Sequence, residues 1–303
     1  EGATGIEVDA NIPDVPKGTW VSRIVASSAD ANTAYVSFDG HRSDNRAPWL
    51  FRTTDGGKTW KNLSAGLAKD SPVYVIEEDS RNPNLLFVGT EHGVQISLDR
   101  GNTWRAMKNG LPVVAVYDII IHPRDRDVII GTHGRGIYIL DDITALEEWK
   151  PALATTAAHL FVQRPATIWV DESRSGQMGE NTYAGENPPY VAPVNYQMRD
   201  RSHIVNTPLI TFSLGAGASG TATLEITSPD GHTRTLTVPA RAGITRYAWD
   251  GRMKAPQTVT AGARARRAPP PVIAPGVYKL KLTYGGSTSR GSIVMHPDPL
   301  LKR

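Results

Sequence analysis

Apolar and polar positions alternate along most of this chain with the two-residue period of half-buried strands; a helical period is confined to one short stretch. Up to residue 140 the strand-like runs are SRIVAS (22–27), AYVSF (34–38), PWLFR (48–52), VYVIEE (73–78), LLFVGT (85–90), GVQI (93–96), VYDIII (116–121), VIIGTHG (128–134) and GIYIL (136–140). Polar turn text such as SRNPN and HPRDRD separates them. ITALEEWK (143–150) reads as a short helix, and AHLFVQRPATIWV (158–170) as a tract returning a strand to the first domain. A second series follows: APVNYQM, LITFSL, TATLEITS, TRTLTV, TRYAWD, VYKLKLTY and GSIVM, broken by GAGASG, SPDG, PARAG and YGGS. The pattern predicts an all-β protein.

The first series repeats. TTDGGKTW (53–60) returns as SLDRGNTW (97–104), with Asp55 and Asp99 44 positions apart, and Gly89 and Gly131 stand 42 apart. Four short strands per unit of about 40–45 residues is the signature of a propeller blade. The unit occurs about three times, and the third stops at GIYILDDI, where the next such turn is due. Asp141 and Asp142 therefore belong to a degenerate hairpin. Residues 1–170 are expected to form a partial β-propeller of about three blades. The tract 171–190, rich in Gly, Pro, Asn and Ser, reads as a linker, and 191–303, with about seven strands, as an immunoglobulin- or fibronectin-like β-sandwich. SPDGH (228–232) is a hairpin tip. The insert 254–275, with Arg264, Arg266, Arg267 and a proline tract, reads as a solvated loop, with a docking site for an acidic or glycan surface as the alternative.

Composition removes several classes of function. The 303 residues are 40% apolar and 21% charged, and no apolar run approaches the ~20 residues of a membrane helix. The net charge of +3 is mild and the Lys and Arg are scattered, which argues against nucleic-acid binding. There is no Cys, hence no disulfide and no thiolate metal site. The chain opens at Glu1 and reads as a processed or excised piece.

The repeated turn has a physical logic: an Asp side chain accepts from backbone N–H groups just ahead of it, the Gly two positions on takes a positive φ, and the Trp covers the hairpin. Asp55, Gly57 and Trp60, and Asp99, Gly101 and Trp104, fill these places. Both stretches resemble the Asp-box of sialidase-type (BNR) and sortilin-type propellers, Ser/Thr-x-Asp-x-Gly-x-Thr-Trp, at every fixed position. TWVSRIVAS, YVSFDGHRSDN, LFVGTEHGVQISLDRGNTW and GTHGRGIYILDDI are similar to the last blades of large bacterial proteins of the sortilin/VPS10-like, "glycosyl hydrolase (BNR repeat)" type. GENPPYVAPVNYQ, ITRYAWDGRM and PGVYKLKLTYGG resemble their trailing β-sandwich. The resemblance implies a structural role for both Asp residues, a location outside the cytoplasm (secreted, periplasmic or cell-surface), and further blades upstream.

In a blade, successive hairpins alternate between the two propeller faces, so the turns between second and third strands share the face opposite TTDGGKTW. These turns hold His41, Arg42 and Asp44, then Glu91 and His92, then His133 and Arg135. Such a rim suits an anionic or sugar ligand, although the same residues could simply satisfy turn backbones. Three imidazoles are also zinc or copper donors, but no metal or other cofactor is expected. Glycoside hydrolysis needs two carboxylates at a set separation, and sequence spacing selects no such pair. Two functions remain: a non-catalytic binding or scaffold protein engaging a protein, glycan or envelope partner, or a glycoside hydrolase whose active site is completed by blades outside this chain. Either way the propeller is expected to be completed by upstream blades of the same protein or by a companion chain, because an arc of three leaves open strand edges.

Overall fold

The computed structural model describes residues 9–108, 110–168, 208–254 and 273–299. Two compact units divide the chain, Glu1–Trp149 and Lys150–Arg303. Both are built from strands.

The first unit contains three antiparallel sheets in sequence order. Blade 1 is β1 (Trp20–Ala26), β2 (Ala34–Gly40), β3 (Asn45–Thr53) and β4 (Lys61–Asn62). Blade 2 is β5 (Val73–Glu78), β6 (Leu86–Thr90), β7 (Gly93–Ser97) and β8 (Arg105–Ala106). Blade 3 has three strands, β9 (Val116–Ile121), β10 (Val128–Thr132) and β11 (Ile137–Leu140), followed by a helical turn, α1 (Thr144–Glu147). Register makes the blades superimposable by position. Arg23 faces Ser37, which faces Leu50; Val75 faces Gly89, which faces Val94; Asp118 faces Gly131, which faces Ile137.

Each blade has a leading surface toward the blade before it and a trailing surface toward the blade after it. Tyr35 and Leu50 on the trailing surface of blade 1 pack with Val73, Ile76, Leu86 and Val88 on the leading surface of blade 2. Val75, Phe87 and Val94 behind blade 2 pack with Val116, Ile119, Val128 and Ile130 at the front of blade 3. Gly89 permits this approach: a Cβ there would stand 2.6 Å from the Val116 carbonyl oxygen. At the two ends of the arc the same positions are bare. Ile24, the counterpart of fully buried Ile76, is 66% exposed, and Ile137, the counterpart of Leu50 and Val94, is 72% exposed. The outer part of blade 1's leading surface is covered by the chain itself, where Ile12 and Val15 pack over Val36, Phe38 and Phe51.

The two eight-residue turns close the β3–β4 and β7–β8 hairpins with one hydrogen-bond pattern. The Thr59 N–H and hydroxyl donate to Asp55 at 2.9 and 2.6 Å, and the Gly57 N–H donates to Thr53 Oγ1 at 2.9 Å. In the second turn Thr103 donates to Asp99 at 2.8 and 2.6 Å, and the Gly101 N–H to Ser97 Oγ at 2.8 Å. Gly57 and Gly101 take φ of 87° and 84°, a region a β-carbon disfavours. Asp142, beyond β11, has φ 49° and donates its N–H to Asp127 at 2.9 Å, so the third blade ends in a different turn.

The second unit places β12 (Ala158–Leu160), β14 (Leu209–Leu214) and β17 (Gly243–Ala248) in one sheet. The other contains β13 (Ala166–Ile168), β19 (Ser287–Pro297), β18 (Gly276–Tyr284), β15 (Thr221–Thr227) and β16 (Thr233–Pro239). They share a core in which Phe212, Leu224, Trp249, Tyr278 and Leu282 are buried. This corrects the placement of residues 158–168. They do not return to the first domain: β12 pairs with β14 and β13 runs parallel to β19. Their apolar side chains Ala158, Leu160, Ala166 and Ile168 are buried in this second core, which decides the pairing of strands too short to hold a sheet of their own. The expected linker 171–190, the strand APVNYQM and the arginines of the 254–275 insert lie outside the described residues.

Candidate functional site: an aromatic rim across three blades

The innermost strand of every blade carries a β-bulge at the same register. Pairing skips Ser22 in β1, Tyr74 in β5 and Tyr117 in β9. A bulge leaves one residue unpaired and re-aims its side chain. In blade 1 Ser22 bonds Ser37 at 2.8 Å and the Val73 carbonyl at 2.7 Å. In blades 2 and 3 the re-aimed residues are tyrosines, and they stack on each other with ring centroids 4.2 Å apart and 12° between planes.

The stacked pair ties together the turns that the sequence singled out. His41 meets Tyr74 edge-on at 6.3 Å, and His133 meets Tyr117 at 5.4 Å. The Tyr74 hydroxyl donates to Glu91, and burial together with this carboxylate pushes the phenol pKa up. A row of rings therefore runs from blade 1 to blade 3. Tyr117 is 45% exposed, and Trp20, at the start of β1 opposite Asp39, is 72% exposed.

Three of the rim's basic side chains are paired with acidic ones. His41 Nδ1 lies 2.6 Å from the Asp39 carboxylate, His92 Nε2 lies 3.5 Å from Asp70, and Arg46 lies 3.9 Å from Glu91 while bonding the Asp70 carbonyl at 3.4 Å. Arg42 and Arg135 are exposed side chains in the first and third turns. Asp44 closes the 3-10 turn His41–Ser43 through its backbone, with φ 58° and its N–H on the His41 carbonyl at 3.1 Å. Of the residues proposed from sequence, the rings and their partners bring together His41, Glu91, His92 and His133; Arg42, Asp44 and Arg135 stand on the same turns without joining them. Sequence reading missed Tyr74, Tyr117, Trp20, Asp39, Arg46 and Asp70. The shared Val-Tyr opening of VYVIEE and VYDIII was the available signal. Among the described residues no group of three or more His, Cys, Asp or Glu is placed to hold a metal ion.

A second cluster lies on the inner strands. Arg23 of β1 pairs with Asp118 of β9, and the charges of both act on Glu77 of β5. Burial raises the Glu77 carboxyl to about 7; Arg23 opposes the shift, and Asp118, Glu78 and Asp79 add to it. Its neighbour Glu78 is a different device. It accepts Tyr35 Oη at 2.7 Å and Ser27 Oγ at 2.6 Å, joining blade 1 to blade 2. Burial, with the Glu78 hydrogen bond, pushes the Tyr35 phenol up to about 12.

No protein-family model matches this chain, and no curated protein matches it. Solved structures with partial likeness include an ancestral GH74 enzyme, at 24% identity over 39% of this chain and 14% of that one, TM-score 0.32. YCF48 bound to a D1 peptide matches at 17% identity over 40% of this chain and 37% of that one, TM-score 0.31. The extracellular domain of a hybrid two-component system from B. thetaiotaomicron matches at 12% identity over 91% of this chain and 30% of that one, TM-score 0.31. The chain spans 14% and 20% of the length of the first two structures it matches. At TM-scores near 0.3 these likenesses assign neither activity nor ligand; the blade-like character of the first unit rests on its repeated sheets.

Proposed function

We propose that this chain is a non-catalytic binding or scaffold protein acting outside the cytoplasm, with the aromatic rim of its blades as the binding surface. The carrying observation is the ring row His41–Tyr74–Tyr117–His133, built by a bulge repeated at one register in successive blades. Exposed rings beside hydrogen-bonding groups suit a ligand with apolar faces and polar edges, such as a glycan or a segment of an envelope protein. The carboxylates already matched to His41, His92 and Arg46 favour such a ligand over a free anion. The likeness of both turns to Asp-boxes supports the extracytoplasmic location, and the two sheets that share one core in the second unit support an immunoglobulin-like reading of it. Blades from an upstream part of the same protein, or from a companion chain, would complete the ring. Among the described residues no helix is long and apolar enough to cross a membrane. The test is titration of the immobilised protein with a panel of neutral and acidic glycans and purified envelope proteins. Tyr117→Ala is expected to weaken the bound ligand by about tenfold or more; binding unaffected by that change would overturn the rim assignment.

Glu77 favours a second reading, a glycoside hydrolase. A general acid must keep its proton near neutral pH, and the Glu77 carboxyl, raised to about 7 chiefly by burial, with the charge of Asp118 adding to the shift, has that property. Release of reducing ends from a glycan, abolished by Glu77→Gln, would establish this reading; absence of release across the same panel would favour the binding protein.

A further inference from the structure

Arg23 and Asp118 occupy one register position in their strands, each directly after a bulged residue, Ser22 in blade 1 and Tyr117 in blade 3. Their ion pair joins the first blade to the third and ties one bulge to the other. The counterpart in blade 2 is Val75, and two residues further along β5 comes Glu77, on which both charges act. β1 and β9 both pack on β5. The three charged side chains therefore belong to one place, behind the bulges that aim Tyr74 and Tyr117 at the rim.

Hydrogen bonding in this cluster is incomplete. Arg23 donates to Asp118 through a terminal nitrogen, while its Nε–H is buried and, among the described residues, has no partner. Glu77 is half-buried, and among the described residues its carboxyl makes no hydrogen bond. The other titratable groups around β5 are engaged elsewhere. On β5 itself and just beyond it, Tyr74 is bonded to Glu91, Glu78 to Tyr35 and Ser27, and Asp79 to the backbone of Arg81 and Asn82. Of the remaining strands in contact with β5, β6 carries no titratable side chain, and Asp39 of β2 is paired with His41. Arg46 and Arg52 of β3 donate to the carbonyls of Asp70 and Arg100.

We propose that Glu77 and Asp118 share Arg23 as a proton-controlled joint behind the rim: protonated Glu77 leaves Arg23 on Asp118 and the Tyr74–Tyr117 stack closed, whereas ionised Glu77 draws Arg23 away and loosens the stack. Two carboxylates before one guanidinium compete once both are charged. Asp118 follows Tyr117 directly, so its hold on Arg23 steadies the bulge that aims the ring. Burial raises the Glu77 carboxyl to about 7, which places the exchange near neutral pH. The closed stack belongs to the acid side of that value and the loosened stack to the alkaline side. By linkage, a ligand that requires the closed stack takes up protons when it binds near neutral pH. The joint regulates the rim and rests on the rim assignment for its use, but its motion needs no ligand.

Ring NMR signals of the tyrosine-labelled, ligand-free 303-residue chain test it, because stacking at 4.2 Å shifts each ring by the current of the other. Tyr74→Phe and Tyr117→Phe assign the two signals. From about pH 5.5 to about pH 8.5 both rings should move together, away from their stacked positions, with a midpoint near 7. Glu77→Gln, isosteric with the protonated acid, should hold both rings at their acid positions throughout. Asp118→Asn should bring them toward their alkaline positions even at the acid end. His41 and His133 also touch these rings, so the step must survive their joint replacement by Gln. Rings that do not move, a step that survives Glu77→Gln, or a step that disappears with the two histidines would each overturn the proposal. Ligand binding indifferent to Tyr117→Ala would sink the rim assignment and leave this step standing; a ligand held at the rim of a chain whose rings show no step would do the reverse.

Discussion

Blade 2 and the blades that flank it are written in one pattern and have different fates. Ile76 in blade 2 and Ile24 in blade 1 occupy the same place in the same strand, yet the first is fully buried and the second is two-thirds exposed. Val94 and Ile137 repeat the contrast on the other side. Register agrees within each pair, and Ile24 and Ile76 share residue type and a neighbouring bulge as well; the difference is whether a neighbouring sheet is packed against them. In this architecture burial belongs to the interface between repeats, and each repeat carries half of two interfaces.

The largest expected effect follows from that contrast. Ile76→Ala should cost about 2–5 kcal/mol in denaturant unfolding, the range for a truncated buried aliphatic. Ile24→Ala in dilute solution should cost within about 0.5 kcal/mol, as at an open surface. Equal costs would mean that the two positions share an environment and that the arc is not open.

The two Asp turns sharpen the contrast at a smaller scale. The second packs on blade 1, with Gly101 against Leu63 and Trp104 bonded to the Leu63 carbonyl, whereas among the described residues the first is met by the leading segment, where the Asn11 side-chain amide donates to the Gly57 carbonyl at 3.0 Å. Asp99→Ala should cost on the order of 1–3 kcal/mol by leaving the Thr103 N–H and its neighbours unpaired, and Asp55→Ala less, because water reaches its turn. Hydrogen bonds from Thr59 and Thr53 hold the Asp55 carboxyl at about 2, below its unfolded value. Its contribution is therefore present above about pH 4 and lost as pH falls toward 2. An acid titration of wild type against Asp55→Asn measures that window, and identical acid profiles would contradict it.

Smaller still is the indole pair. Trp104→Phe removes a made hydrogen bond, worth about 0.5–1.5 kcal/mol, while Trp60→Phe removes an N–H with no acceptor, so comparison of the two melting shifts should find the first larger. Glu77 gives the gentlest signature. Its folded pKa of about 7 lies above its unfolded value, so the folded state holds the extra proton and stability falls as pH rises from about 4.5 to 7, then levels. Glu77→Gln should flatten that slope; an unchanged slope would place the titration elsewhere.

The repeat behind this contrast is legible in the sequence. The steps of 44 and 42 residues fixed the blades, and the two TTDGGKTW-type stretches located hairpins whose hydrogen bonds agree atom for atom. What escaped was everything set by contact between repeats. Tyr74 and Tyr117 look like ordinary strand tyrosines until a bulge aims both at one rim, and Glu77 looks like any exposed alternation residue until Arg23 and Asp118 arrive from other blades. Residues 158–168 were misplaced because strands of three residues have too little pattern to declare a partner, and their partners β14 and β19 lie 40 or more positions away.

Hydrogen exchange on the chain, diluted until it is monomeric, tests the central contrast most directly. The account predicts that backbone amides of β5 to β7 exchange slowest in the first unit, with Trp20–Ala26 and Ile137–Leu140 far less protected, because among the described residues only blade 2 packs against a neighbouring blade on both surfaces. Uniform protection across the three blades would contradict it, since the end blades would then be as fully supported as the middle one.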